Sequence, residues 1–178
     1  QEVETSPVKR ATIVQKVNGT GKIQPNTEIN ISADVSAKIT RLDVKEGDHV
    51  VASRFLFGNT VSQFGTLAAH GTQVTYVDAT DVANVERALT PETRLIFVET
   101  IANPRTQIAD LARIGALAQQ RGILYVVDNT MTSPALFRPK AVGAGLVVNA
   151  LTKYIGGHGN ALAGSVTDTG LFDWTRFP

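Results

Sequence analysis

Cysteine is absent from this 178-residue sequence, which excludes a disulfide framework and thiolate catalysis alike. No run of eighteen apolar residues offers a membrane span, so no membrane insertion is expected. Seventeen lysines and arginines stand against sixteen aspartates and glutamates, leaving no broad basic field to attract nucleic acid. The three histidines, His49, His70 and His158, are not spaced as metal ligands, and no metal site is expected. Gln1 opens the chain without an initiator methionine, a charged leader or an apolar signal core, the pattern of a processed chain or, preferred here, a fragment. These absences leave a globular chain, 43% apolar, with room for one ordinary domain or two small ones and with small molecules or proteins as partners.

Composition shifts near residue 50. Residues 1–50 hold five lysines and two arginines, whereas residues 51–178 hold two lysines and eight arginines. Alanine rises from three in the first part to seventeen in the second. Two segments of different origin, or ordinary variation within one protein, both produce such a shift.

In the first part, EINISADV alternates Ile29, Ile31, Ala33 and Val35 with Glu28, Asn30, Ser32 and Asp34, which is strand periodicity. Ile39, Leu42 and Val44 lead into the turn signal Glu46-Gly47-Asp48, so short β-strands are expected. The stretch GTGKIQPNTEINISADVSAKITRLDVKEGDHV resembles a periplasmic adaptor subunit of efflux pumps, of the membrane fusion protein family. That resemblance implies one half of a lipoyl-like β-sandwich over residues 1–50, with no catalytic residue in it.

The second part reads differently. TQVTYV (72–77), RLIFV (94–98), ILYVVD (123–128) and GLVVNAL (145–151) are short apolar runs of strand type. Between them, 81–89 and 109–120 carry apolar residues at helical spacing, the second stopped by Gly122. Runs 72–77 and 94–98 with the helix between them form a βαβ unit, and the nearly uniform apolarity of the later runs predicts strands covered on both faces. The expected fold is therefore α/β, a doubly wound parallel sheet.

Ligands of such sheets collect at the carboxyl ends of the strands. Glu99 and Asn103 follow one strand, Asp128 ends another, and Thr152 and Lys153 follow a third. A lysine just past a buried strand can be partly desolvated, which favours a nucleophilic amine able to attack an aldehyde. A carboxylate on the neighbouring strand can hold a proton on a pyridinium nitrogen. Gly143 and Gly145 precede a strand instead of leading from one into a helix, the wrong order for a dinucleotide fingerprint. His158, in GGHGN, is expected to make loop hydrogen bonds and to have no catalytic role.

The motifs VETIANP, VVDNT and VVNALTKYIGGHGNALAG, with SRFLFGNT, TPETRLIFVET and TDTGLFDW, resemble the Cys/Met metabolism family of pyridoxal-phosphate (PLP) enzymes. That family contains homoserine-ester sulfhydrylases, cystathionine synthases and lyases, and methionine γ-lyase. The resemblance covers residues 51–178 and implies part of the large domain of a fold-type I PLP enzyme. It implies Lys153 as the Schiff-base lysine and Asp128 as the pyridinium partner. It implies Asn103 as a donor to the cofactor's phenolic oxygen and Thr152 as a phosphate contact, with Thr130 and Glu99 in support. Phe57 stands in LFGNT where the family often has a tyrosine that stacks on the cofactor ring, so stacking can survive while a phenolic hydroxyl is lost. Ala150 stands where a serine is common, which removes one hydroxyl from the phosphate cup.

The implied reaction is γ-elimination or γ-replacement on a sulfur amino acid or an activated homoserine, in a homotetrameric, cytoplasmic parent enzyme. The family's N-terminal phosphate-binding segment and C-terminal substrate-binding domain have no counterpart here, so catalysis by this chain alone is not expected. The string GDHV (47–50) fits both resemblances, and a composite chain joined there is the expected organisation. The alternatives are a periplasmic adaptor segment, should the first fifty residues govern, and a non-functional composite.

Overall fold

The structure, a computed structural model, describes residues 47–176. The strands expected between residues 28 and 44, and the lipoyl-like half-motif with them, lie outside the described residues.

The described chain alternates strand and helix: β1 (His49–Ser53), α1 (Gly58–Ala69), β2 (Gln73–Val77), α2 (Val82–Ala88), β3 (Thr93–Glu99), α3 (Leu111–Arg121) and β4 (Leu124–Asp128). A four-residue helix, α4 (Ser133–Leu136), precedes β5 (Leu146–Ala150) and β6 (Gly164–Asp168), with 3-10 turns at Pro139–Val142 and Trp174–Arg176. The strands form one sheet in the order β2-β1-β3-β4-β5-β6. Every neighbouring pair is parallel except β5 and β6, which are antiparallel.

Alternate residues of the sheet supply two apolar layers, as a strand buried on both faces requires. Val51, Ile96, Val98, Tyr125 and Val127 pack on one face with Val85 of α2 and Ile114, Leu117 and Ala118 of α3. Val50 and Ala52 face the other way, towards Leu56 and Phe64 of the α1 side. There the Phe64 and Phe97 rings meet edge to face, with centroids 5.2 Å apart.

Local chemistry sets the helix ends. Asp81 caps α2 by accepting the Ala83 N–H at 2.9 Å. Gly122 closes α3 in the left-handed region at φ 64°, the stop expected of it. Within α3, Gly115 lies so close to the 3-10 turn that a Cβ there would stand 1.7 Å from the Val142 carbonyl oxygen.

The strands predicted at 72–77, 94–98, 123–128 and 145–151 are all present, with no end moved by more than one residue. Their arrangement differs from expectation in one respect. β2 and β3 are not neighbours, because β1 lies between them. HVVAS is only five residues long, but all five are buried and it sits inside the sheet. The expected domain boundary after residue 50 falls within this strand. The chain leaves β1 towards β2 on one side and later adds β3 on the other, so the order reverses at β1, where such sheets open a crevice.

At the opposite, amino-terminal end of the sheet His49 is 2% exposed. Its Nδ1 pairs with Thr93 Oγ1 at 2.7 Å and its Nε2 with Thr75 Oγ1 at 2.8 Å. Burial pushes the imidazole below its ordinary pKa, against the weaker opposing pull of the Glu92 charge. Among the described residues no helix is long and apolar enough to cross a membrane, and no group of acidic, histidine or cysteine side chains could hold a metal.

Candidate active site

A cavity of about 550 Å³ opens at the carboxyl ends of β3, β4 and β5, within the range of small-molecule sites, about 300–1,000 Å³. Phe57, Glu99, Asn103, Asp128, Thr130, Thr152 and Lys153, all singled out in the sequence, line it together. Because β3, β4 and β5 run parallel, residues far apart in the chain arrive at one edge.

Glu99 ends β3 opposite Asp128, which ends β4. Glu99 is 7% exposed. Its Oε1 accepts the Phe57 N–H at 2.7 Å and its Oε2 accepts the Asn103 N–H at 3.2 Å. Burial lifts the Glu99 carboxyl above the usual carboxylate range; the two N–H groups oppose the lift and the Asp128 charge adds to it.

Asp128 accepts the Thr130 N–H at 2.9 Å through Oδ1. Thr130 in turn accepts the Ala150 N–H at 2.8 Å through its hydroxyl, so it links the ends of β4 and β5. Beneath them Asn129 is fully buried. Its backbone N–H goes to the Val148 carbonyl at 2.8 Å and its side-chain amide to the Phe137 carbonyl at 2.9 Å, which anchors the turn that carries Asp128 and Thr130.

Thr152 and Lys153 follow β5 in a run of turns. The Thr152 hydroxyl accepts the Ala163 N–H at 3.2 Å, tying this run to the approach to β6. Lys153 is exposed. The residues from Lys153 to Leu162 are all exposed, so the described residues do not supply the apolar cover expected around the Lys153 amine. His158, also exposed, has Nδ1 3.3 Å from the Gly156 carbonyl oxygen, a loop contact as expected.

Phe57 precedes α1 and is 43% exposed, with its ring on the cavity wall. Asn103 enters from the turn after β3, where Ile101 bridges to Ile108 and the Asn103–Pro104 peptide is cis. Thr60, Ile101, Met131 and Tyr154 also line the cavity and were not singled out from sequence. Each lies one to three residues from a residue that was, so proximity to those motifs was the signal available.

The donor set fits PLP. An amine on the rim can bind an aldehyde, a carboxylate at a strand end can pair with a protonated ring nitrogen, and an aromatic side chain offers a face for stacking. Hydroxyls at Thr130 and Thr152 add polar contacts, while the methyl of Ala150 lines the wall between them and offers none.

Known proteins resemble the chain in both sequence and structure. It is 39% identical over 132 residues to an O-acetyl-L-homoserine sulfhydrylase of Leptospira meyeri, a match covering 74% of this chain and 30% of the relative. It is 42% identical over 128 residues to a canavanine γ-lyase of Pseudomonas canavaninivorans, covering 71% and 32%. A solved structure of O-acetylhomoserine sulfhydrylase from Wolinella succinogenes superposes with a TM-score of 0.69 at 42% identity, over 75% of this chain and 38% of that one. The chain thus spans about a third of the length of the curated relatives it matches. The profile of the family described as Cys/Met metabolism PLP-dependent enzyme matches residues 30–177 and so extends across residue 50. With most of its length matched, a six-stranded sheet of the same fold and a cavity suited to the cofactor, the chain belongs to the Cys/Met metabolism family of PLP-dependent enzymes.

Proposed function

We propose that this chain forms the cofactor-binding wall of an enzyme that carries out γ-elimination or γ-replacement on a sulfur amino acid or an activated homoserine. The observation that carries the reading is the convergence of Lys153, Asp128, Asn103, Thr152, Thr130 and Phe57 on one cavity. Bound PLP supplies a protonated ring that withdraws electrons from the substrate carbon.

The protein's own groups have distinct tasks in this reading. Lys153 would hold the cofactor through Nζ and would serve as the amine that moves protons between substrate carbons. Asp128 keeps a proton on the ring nitrogen, and the Thr130 N–H fixes the carboxylate that does so. Asn103 would donate to the phenolic oxygen, Thr152 would donate to the phosphate, and Phe57 would offer its ring for stacking. Thr130 acts chiefly through Asp128 and Ala150, the two groups it hydrogen-bonds.

Titration of the chain with PLP tests this reading. Growth of a bound-cofactor absorbance band, lost in Lys153→Ala, is expected; no band in the unsubstituted chain refutes it. The parent enzyme is proposed to be a cytoplasmic homotetramer, an assembly that sedimentation of the holoenzyme checks.

A second reading concerns residues 1–50. The inverted lysine and arginine usage and the adaptor-like alternation favour a composite chain joined at 47–50, with a periplasmic adaptor segment or a non-functional product as its consequence. Reading the source DNA across these codons tests it, and an uninterrupted native gene contradicts it.

A further inference from the structure

Glu99 is a buried carboxylate whose two oxygens serve two different segments. Oε1 takes the N–H of Phe57, which opens α1, and Oε2 takes the N–H of Asn103, in the turn that follows β3. One partner lies 42 residues away in sequence and the other four. Burying a carboxylate is costly unless its lone pairs are satisfied, and an apolar residue could end β3 at less cost. The segments it joins present the Phe57 ring and the Asn103 amide to the same cavity.

We propose that Glu99 is a positioning residue: its carboxylate straps the start of α1 to the Asn103 turn and so sets the spacing between the aromatic and amide walls of the site. The consequence for cofactor binding rests on the function proposed above. The strap itself does not, since both hydrogen bonds lie within this chain.

Two measurements on the 178-residue chain separate these parts. Amide hydrogen exchange followed by NMR, without cofactor, reads the strap. In Glu99→Ala the Phe57 and Asn103 amides exchange at least about tenfold faster, as loss of a charge-assisted hydrogen bond predicts, while the Val98 amide in the β3–β4 ladder is unchanged. In Glu99→Gln, nearly isosteric but with one acceptor oxygen, one of the two amides is released; this variant carries the test should the alanine variant fail to fold. Unchanged exchange at both amides overturns the strap.

PLP titration reads positioning. Glu99→Gln raises the Kd for PLP about tenfold and alters the visible circular dichroism of the bound cofactor, with the melting temperature held within a few degrees. Released amides with an unaltered Kd and spectrum reduce Glu99 to a structural part and overturn the positioning role. If the unsubstituted chain takes up no PLP, the proposed function fails, and the exchange data alone decide the strap.

Discussion

Glu99 and Asp128 are register partners on adjacent parallel strands, so two carboxylates end β3 and β4 side by side. Their surroundings divide them. Glu99 is turned into the protein to meet two backbone N–H groups, whereas Asp128 is half-buried on the cavity wall and meets one. Burial is the main reason the Glu99 carboxyl is raised, and the like charge of Asp128 on the neighbouring strand adds to it.

Replacing Asp128 by asparagine removes that charge and keeps the shape. The Glu99 carboxyl then titrates at lower pH than in the unsubstituted chain, a shift that carboxyl carbon NMR resolves. The same variant loses the proposed pyridinium partner, and on that proposal PLP affinity falls at least about tenfold, in line with roughly 1.5–3 kcal/mol for a hydrogen bond to a charged group.

Ala150→Ser supplies a hydroxyl to the cavity wall between Thr130 and Thr152. Affinity for PLP rises several-fold, the return on one added hydrogen bond of about 0.5–1.5 kcal/mol. Fluorescence titration checks it. Equal affinity in the two chains indicates that the phosphate lies elsewhere.

The candidate site was legible where its residues are polar and set at the ends of apolar runs; Phe57, before a helix, was reached only through the family resemblance. Asp128 after LYVV, and Thr152 with Lys153 after LVVNAL, mark the strand ends by the change of character alone. The exposure of Lys153 was not legible, since it depends on where the segment after β5 goes and not on the strand before it. β1 was missed because HVVAS is too short to show a period and straddles the composition shift. β6 was missed because GSVTD has one apolar residue in five; it is placed by backbone pairing to β5, which leaves little trace in side-chain pattern. α1 carried a signal in Val61, Phe64 and Leu67, weakened because only Phe64 is buried.

Gly115 tests the packing of the side that carries α3. Alanine is ordinarily the better helix former, but here its Cβ would meet backbone at the Val142 carbonyl. Gly115→Ala therefore lowers stability by roughly 1–3 kcal/mol, the cost of overpacking. Urea unfolding checks it, and a stabilised variant contradicts the close approach.

His49 governs acid sensitivity at the amino-terminal end of the sheet. Its folded pKa lies below its ordinary value of 6.5, so the unfolded chain binds more protons in the window beneath pH 6.5. Stability contributed by the neutral ring is complete above that pH and declines as pH falls towards the lowered value. Urea midpoints between pH 7.5 and 5.5 drop in the unsubstituted chain and drop less in His49→Gln, which has no ring to protonate.

Reduction with borohydride in the presence of PLP, followed by peptide mapping, shows which amine holds the cofactor. A pyridoxyl label is expected on Lys153, with none on Lys140 or on the lysines of residues 1–50. A label fixed to any other lysine, while Lys153 stays free, contradicts it.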